Sequence, residues 1–348
     1  MMDKLEKIVV GISIGDLNGI GIEIILKTFQ DKRMLDFCTP VIFGSTKSIS
    51  YHKKLLKLET QIHGITSIKQ LVPNKVNLLN IWKEEVQFEI GNATKTSGEY
   101  AFKSLESAVK HLNESTIDVL LTAPINKESI QSDSFNFPGH TEYLESKLEG
   151  ESLMILISEN LRVGLVTGHI PISEISNAIT PELIKKKVDI MHATLVKDFG
   201  INKPKIAVLG LNPHCGDKGV IGKEDDEVIR PTIKEIKDSG KLVFGPYAAD
   251  GFFGSNTYQQ FDGILAMYHD QGLAPFKALS FGNGVNYTAG LSKIRTSPDH
   301  GTAFEIAGKN EANHTSFKEA LFTAIEIYRK RKEYNNLTVN VLEVKQIR

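Results

Sequence analysis

The chain has 348 residues, 41% of them hydrophobic and 24% charged, enough for a sizeable core in one large domain or two ordinary ones. Lys plus Arg number 41 against 42 Asp plus Glu, so no positive excess exists to drive phosphate-backbone binding, and nucleic acid is excluded as an expected partner. Two cysteines, Cys38 and Cys215, without CxxC spacing exclude a disulfide scaffold or thiolate metal site, and no uncharged apolar stretch is long enough to span a membrane.

The first residues, Met1-Met-Asp-Lys-Leu-Glu-Lys, alternate in charge and lack the apolar region and cleavage site of a secretory signal. A cytoplasmic protein with reduced thiols is expected. Residues 8–14 read as a buried strand, and Ile20, Ile24, Ile25 and Phe29 lie at helical spacing in the helix that follows. Between them, Gly15-Asp-Leu-Asn-Gly19-Ile-Gly21 is either a tight turn whose glycines permit close packing or a helix start open to an anion. Its spacing is not GxGxxG, and no acidic residue ends a second strand about 20 positions on, which disfavours a standard Rossmann domain.

Residues 41–43 make a second strand, and 86–90 alternate apolar and polar as a half-exposed strand would. An amphipathic helix is expected over 97–112, with Tyr100, Ala101, Leu105, Ala108 and Leu112 on one side, then a buried strand over 119–123. From residue 151 the alternation repeats: strands over 154–157 and 163–166, a helix over 181–196 with Pro181 in its first turn, a strand over 206–211 and a helix over 225–237. Residues 301–307 and 315–331 read as helical. This alternation predicts an α/β fold with a mostly parallel sheet covered by helices. No fixed-period repeat suggests a solenoid.

Three apolar runs end in a histidine followed closely by Gly or Pro: 162–171 with His169, 205–216 with His214, and 261–272 with His269. Each reads as a strand delivering an imidazole to a loop at the sheet's carboxyl edge, where α/β sheets bind ligands. If the strands are neighbours, three neutral imidazoles could hold a divalent cation with positions left for a substrate. Asp270, directly after His269, could orient that ring. His52, His63, His111, His192 and His314 lack such a context and read as ordinary surface or core residues. His140 and Thr141, in Pro138-Gly-His-Thr-Glu, sit at a helix start, either as a cap or as hydrogen-bonding groups for a small polar substrate. Lys277, Asn286 and Arg295 alternate with Gly and apolar residues rather than with other charges, which suits recognition of a phosphate or carboxylate.

Eight motifs run in order along nearly the whole chain: Gly15-Asp-Leu-Asn-Gly-Ile-Gly-Ile-Glu, Thr122-Ala-Pro-Ile-Asn-Lys, Pro138-Gly-His-Thr-Glu, Thr167-Gly-His-Ile-Pro, Leu211-Asn-Pro-His, Gly245-Pro-Tyr-Ala-Ala-Asp, Tyr268-His-Asp-Gln-Gly and Ile294-Arg-Thr-Ser-Pro-Asp-His-Gly-Thr-Ala. Together they resemble the 4-hydroxythreonine-4-phosphate dehydrogenase family of vitamin B6 biosynthesis. The resemblance implies two α/β/α domains of the isocitrate/isopropylmalate dehydrogenase type with a cleft between them, here residues 1–135 with 305–348, and 136–304. It implies a homodimer whose active site is shared between subunits, NAD or NADP bound without a Rossmann fingerprint, and one divalent cation (zinc, magnesium or cobalt). It assigns His169, His214 and His269 to the metal, and His140, Thr141, Lys277, Asn286 and Arg295 to a small phosphorylated amino-acid substrate. Asp250 and Asp270 become carboxylates lining the same pocket.

Four positions depart from the family's usual pattern: Leu17 and Asn18 in the first turn, Cys215 after His214, and Asn283 where an arginine is common. The implied reaction oxidises 4-phosphooxy-L-threonine to a 3-keto acid that loses carbon dioxide to give 3-amino-2-oxopropyl phosphate. Rival readings are a 4-phospho-threonate or phospho-erythronate dehydrogenase of the same fold, an acyl-phosphate transferase using coenzyme A, and a non-catalytic metal-binding protein.

Overall fold

The computed structural model describes residues 7–159 and 161–340. The first part of the chain forms β1 (Ile8–Ser13), α1 (Gly21–Thr28), β2 (Cys38–Gly44), α2 (Thr46–Leu56), β3 (Ile62–Ile65), β4 (Val76–Asn80), α3 (Lys95–Asn113) and β5 (Val119–Thr122). Then come α4 (His140–Lys147), β6 (Gly150–Ser158), β7 (Leu161–Leu165), α5 (Ile172–Ala178), α6 (Pro181–Lys197) and β8 (Lys205–Leu209). The remainder forms α7 (Arg230–Asp238), β9 (Leu242–Tyr247), α8 (Ala249–Gly254), β10 (Gly263–Ala266), α9 (His269–Ser280), β11 (Val285–Leu291), β12 (Ile294–Pro298) and α10 (Thr315–Thr338).

All twelve strands join one sheet in the order β3-β4-β2-β1-β5-β12-β11-β6-β7-β10-β8-β9. The first six in that order are parallel to one another, as are the last four. Antiparallel pairs β12–β11, β11–β6 and β6–β7 connect the two sets. The α/β expectation therefore holds, with an antiparallel centre that the strand-helix alternation did not announce. The proposed division of the chain would fall between β5 and β12, which are paired strands.

Local sequence explains the elements. Helix α3 starts at a reciprocal cap: Thr94 Oγ1 accepts from the Ser97 amide at 3.1 Å, and Ser97 Oγ accepts from the Thr94 amide at 3.3 Å. Its Tyr100, Ala101, Leu105, Ala108 and Leu112 are buried, as their spacing requires. The first turn resolves in favour of packing. A Cβ on Gly15, Gly19 or Gly21 would stand 2.3 Å from the Pro124 carbonyl oxygen, 2.9 Å from that of Thr302 or 2.3 Å from that of Ile14. These glycines let backbone meet backbone; they do not open a helix start to an anion. Asp16 organises the turn by accepting from the Asn18 amide and from the Ser97 and Ser129 hydroxyls, at 2.9, 3.0 and 3.0 Å.

Residues 86–90 are a correction to the sequence reading. Val86, Phe88 and Ile90 pack on the core, but the segment pairs with no strand. Asn18 serves it instead, its Oδ1 accepting from the Glu89 amide at 3.0 Å and its carbonyl from the Gly91 amide at 2.9 Å. The departure from the family at position 18 is thus built into the loop it holds. Two helix expectations also change: 225–229 form a π-turn ahead of α7, and of 301–307 only Phe304–Ile306 are helical, as 3₁₀.

Candidate active site

A cleft of about 280 Å³ lies over the central strands. Met154 and Leu156 from β6, Asn286 from β11 and Arg295 and Ser297 from β12 line it. Around them stand Lys127 after β5, the first turn of α4 with His140, Thr141 and Glu142, His169 after β7, and Asp299 and His300 after β12. Helix α9 forms a wall between this cleft and an adjoining cavity of about 500 Å³. Its His269, Leu273 and Lys277, four residues apart and therefore on one face, line the cleft. Its Asp270, Gln271 and Pro275 line the adjoining cavity, with Tyr268, Asp250 and His214.

Seven of the ten site residues expected from sequence thus share one cleft: His140, Thr141, His169, His269, Lys277, Asn286 and Arg295. His214, Asp250 and Asp270 do not line it. Strands β7, β10 and β8 are indeed neighbours, so each of the three histidines leaves an adjacent strand. The loop after β8 then diverges. His214 opens a run of left-handed residues through Lys218, and Asp225 pins the loop by accepting from the Leu211 and Asn212 amides at 2.8 and 3.0 Å. One of the supposed loop histidines is a helix residue, since His269 begins α9, while His140 begins α4 as its sequence context predicts. Asn283 lies in a different surface groove, with Leu279 and Phe281, and not in the cleft.

Arg295 dominates the electrostatics. Its side chain is buried at 2% exposure and donates from Nε and Nη2 to Thr122 Oγ1 at 3.0 and 2.6 Å, and from Nη1 to Thr288 Oγ1 at 3.2 Å. Among the described residues no carboxylate pairs with it. Burial pushes its guanidinium down to about 9, with Glu142 opposing, so it stays charged at neutral pH. A buried cation held only by neutral hydroxyls calls for an anion. Lys277 adds a second positive charge, 3.6 Å from Asp299, whose carboxyl burial raises despite that neighbour. Burial, reinforced by Arg295 and Lys127, holds the His140 imidazole well below its ordinary value. His140 Nε2, Glu142 Oε2, Asn286 Oδ1 and His300 Nε2 are buried without hydrogen-bond partners, a concentration of unsatisfied polar atoms that fits a polar ligand.

The donor set also fits a cation. The rings of His169 and His269 have centroids 5.3 Å apart. Each has a carboxylate at Nδ1, Asp270 Oδ1 at 2.7 Å for His269 and Glu142 Oε1 at 3.6 Å for His169, which leaves Nε2 for a metal. No group of three His, Cys, Asp or Glu side chains suited to a metal occurs among the described residues of one chain. Lys127, Glu142, Asp299 and His300 were not singled out from sequence, although each lies inside or beside a quoted motif.

No helix among the described residues is long and apolar enough to cross a membrane. The family described as pyridoxal phosphate biosynthetic protein PdxA matches residues 36–324. The chain is 51% identical to the 4-hydroxythreonine-4-phosphate dehydrogenase of Bacteroides thetaiotaomicron, over 97% of this chain and 93% of that one. It is 36% identical to the D-threonate 4-phosphate dehydrogenase of Cupriavidus necator, over 93% and 98%. A crystal structure of 4-hydroxythreonine-4-phosphate dehydrogenase from Klebsiella pneumoniae superimposes with a TM-score of 0.79 at 30% identity, covering 93% of this chain and 100% of that one.

Proposed function

The chain belongs to the PdxA family of pyridoxal phosphate biosynthetic proteins and is an oxidoreductase, and from that premise we propose that it oxidises the secondary alcohol of 4-phosphooxy-L-threonine. The observation that carries the substrate class is Arg295, a buried guanidinium without a carboxylate partner in a cleft whose second cation is Lys277. Between them they hold the substrate's phosphate and carboxylate, Arg by its planar fork and Lys as a point charge. Thr141 and the unsatisfied Asn286 Oδ1 supply hydrogen bonds that fix its orientation, and His140, kept neutral by burial, adds a ring nitrogen without a second positive charge.

His169 and His269 would hold one divalent cation (zinc, magnesium or cobalt), with His214 arriving from a second protomer. Exposed apolar side chains beside both loops support a covering partner: Ile172 three residues past His169, and Val220 and Ile221 after His214. Asp250 would arrive with His214, while Asp270 orients His269. Bound there, the cation would supply Lewis-acid activation of the substrate hydroxyl, and NAD or NADP would supply the hydride acceptor. The alcohol carbon gives up a hydride and its oxygen a proton, so the product is 2-amino-3-oxo-4-phosphooxybutanoate. As a β-keto acid it loses carbon dioxide to give 3-amino-2-oxopropyl phosphate.

A second reading, oxidation of 4-phospho-threonate or phospho-erythronate, draws support from the similarity to the Cupriavidus necator enzyme. The deciding experiment is NAD(P) reduction with the amino and the hydroxy substrate, each with and without chelator. Faster turnover of the amino substrate, lost with chelator, is expected. Turnover of the hydroxy substrate alone would replace the first reading with the second, and full activity in chelator would remove the metal.

A further inference from the structure

Two contacts decide which ring nitrogen of His169 carries its proton. On one side, Lys127 Nζ lies 3.1 Å from Nε2. An ammonium only donates, so Nε2 accepts there, and a neutral imidazole with its lone pair on Nε2 carries the proton on Nδ1. On the other side, Glu142 Oε1 stands 3.6 Å from that Nδ1. Such pairs commonly run long before a site is loaded and tighten once it is. His269 repeats the pattern in a closed form, with Asp270 Oδ1 2.7 Å from its Nδ1. Each of these neighbouring imidazoles, with ring centroids 5.3 Å apart, thus has its Nδ1 beside a carboxylate.

The Glu142 carboxylate is well placed to hold a ring still. It belongs to the first turn of α4, between Thr141 and the buried Tyr143 and Leu144, and its second oxygen is itself buried. Lys127 makes no ion pair with a carboxylate among the described residues, so its charge is free to sit where a cation would.

We infer that Glu142 is a positioning residue: it accepts a hydrogen bond from His169 Nδ1 and so fixes the tautomer whose lone pair is on Nε2, while Lys127 caps that lone pair until a metal takes its place. The consequence for metal binding rests on the reading under the previous heading; the tautomer is a property of the metal-free chain.

The test uses the full chain, stripped with chelator and labelled with ¹⁵N-histidine, at a pH where imidazole is neutral. NMR of the ring nitrogens, assigned with His169→Asn, is expected to show the Nδ1–H tautomer in the unsubstituted protein. Glu142→Ala, made together with Lys127→Met so that no ammonium holds Nε2, should shift His169 toward the Nε2–H form that free imidazole prefers when compared with Lys127→Met alone, and lower affinity for cobalt(II) about 10–100-fold by titration. Glu142→Gln in the same background, whose amide oxygen accepts the same bond and which still suits a helix start, should keep the tautomer and most of the affinity. An unmoved tautomer in the Glu142→Ala double variant, or a Gln variant as impaired as Ala, would overturn the assignment. If the tautomer moves but the unsubstituted protein takes up no cobalt, Glu142 keeps its role and the metal reading fails; cobalt uptake with an unmoved tautomer is the reverse case.

Discussion

Arg295 shows how one residue can serve binding at the expense of the fold. Its charge is buried at 2% exposure and answered only by Thr122 and Thr288 hydroxyls, so the folded chain carries an uncompensated desolvation penalty until an anion arrives. Arg295→Met is expected to lower kcat/KM by about 30-fold or more, the usual consequence of deleting one member of a buried charge pair, while the urea midpoint stays level or rises. A fall in both, measured on the same preparation, would mean that the guanidinium is structural. His52 makes the opposite case. It is buried at 2% exposure against Phe88, and burial pushes its imidazole down to about 4. An unfolded histidine takes its proton near pH 6.5, so as pH falls below that value the unfolded chain gains a proton that the folded one refuses. Stability is expected to drop by up to about 3 kcal/mol between pH 6.5 and 4 from this residue alone, and His52→Leu should flatten that part of the curve in urea titrations. At this scale the sequence was legible where chemistry and context coincide: His169, His269, Lys277, Asn286 and Arg295 sit among glycines and apolar residues, and all reach one cleft. Lys127 and Glu142 were not, because a loop lysine and a helix-start glutamate look ordinary until a neighbour 42 and 27 positions away is known to face them.

Among the elements, helix α9 was the least visible in the sequence. Gly272 and Pro275 read as helix breakers, yet the helix runs from His269 to Ser280 with Pro275 inside it. What the pattern could not convey is that the two faces of this helix serve two cavities. Residues 86–90 failed for the converse reason: the period of two is real, and its apolar side does pack inward, but no strand lies within pairing distance and Asn18 satisfies the backbone. Three further elements are bolted together by a buried polar cluster. Arg331 of α10 donates to Asp198, the cap residue of α6, from Nε at 2.7 Å and Nη2 at 2.9 Å, and Tyr287 of β11 donates its hydroxyl to Asp198 at 2.6 Å. Asp198→Ala strands the guanidinium and is expected to reduce stability by roughly 3–5 kcal/mol in urea denaturation. Replacing Arg331 with Leu at the same time should recover much of that loss; a double variant no better than the single one would show that Asp198 acts through α6 alone.

For the whole molecule, the proposed sharing of His214 between protomers makes a quantitative demand on assembly. If His214 reaches the cleft of a second protomer, His169→Ala and His214→Ala proteins are each inactive, yet a mixed dimer rebuilds one intact site of its two. Unfolding and refolding the two variants together at equal amounts should restore about a quarter of the unsubstituted activity, since half of randomly paired dimers are mixed. Zero recovery from correctly refolded dimers would mean that all the ligands belong to one chain. Topology also explains why the strand alternation announced the fold class but not the centre: β6 and β7, and likewise β11 and β12, are joined by short returns that carry no helix, and the antiparallel pairing of β6 with β11 is made between segments far apart in the chain, so neither left a trace in the strand-helix rhythm. Those three strands form the floor beneath Arg295 and Asn286, and their ladders of hydrogen bonds continue without interruption into β5 on one side and β7 on the other. Any relative movement of the two flanks therefore has to be taken up as twist in this shared ladder rather than at a bare stretch of connecting chain.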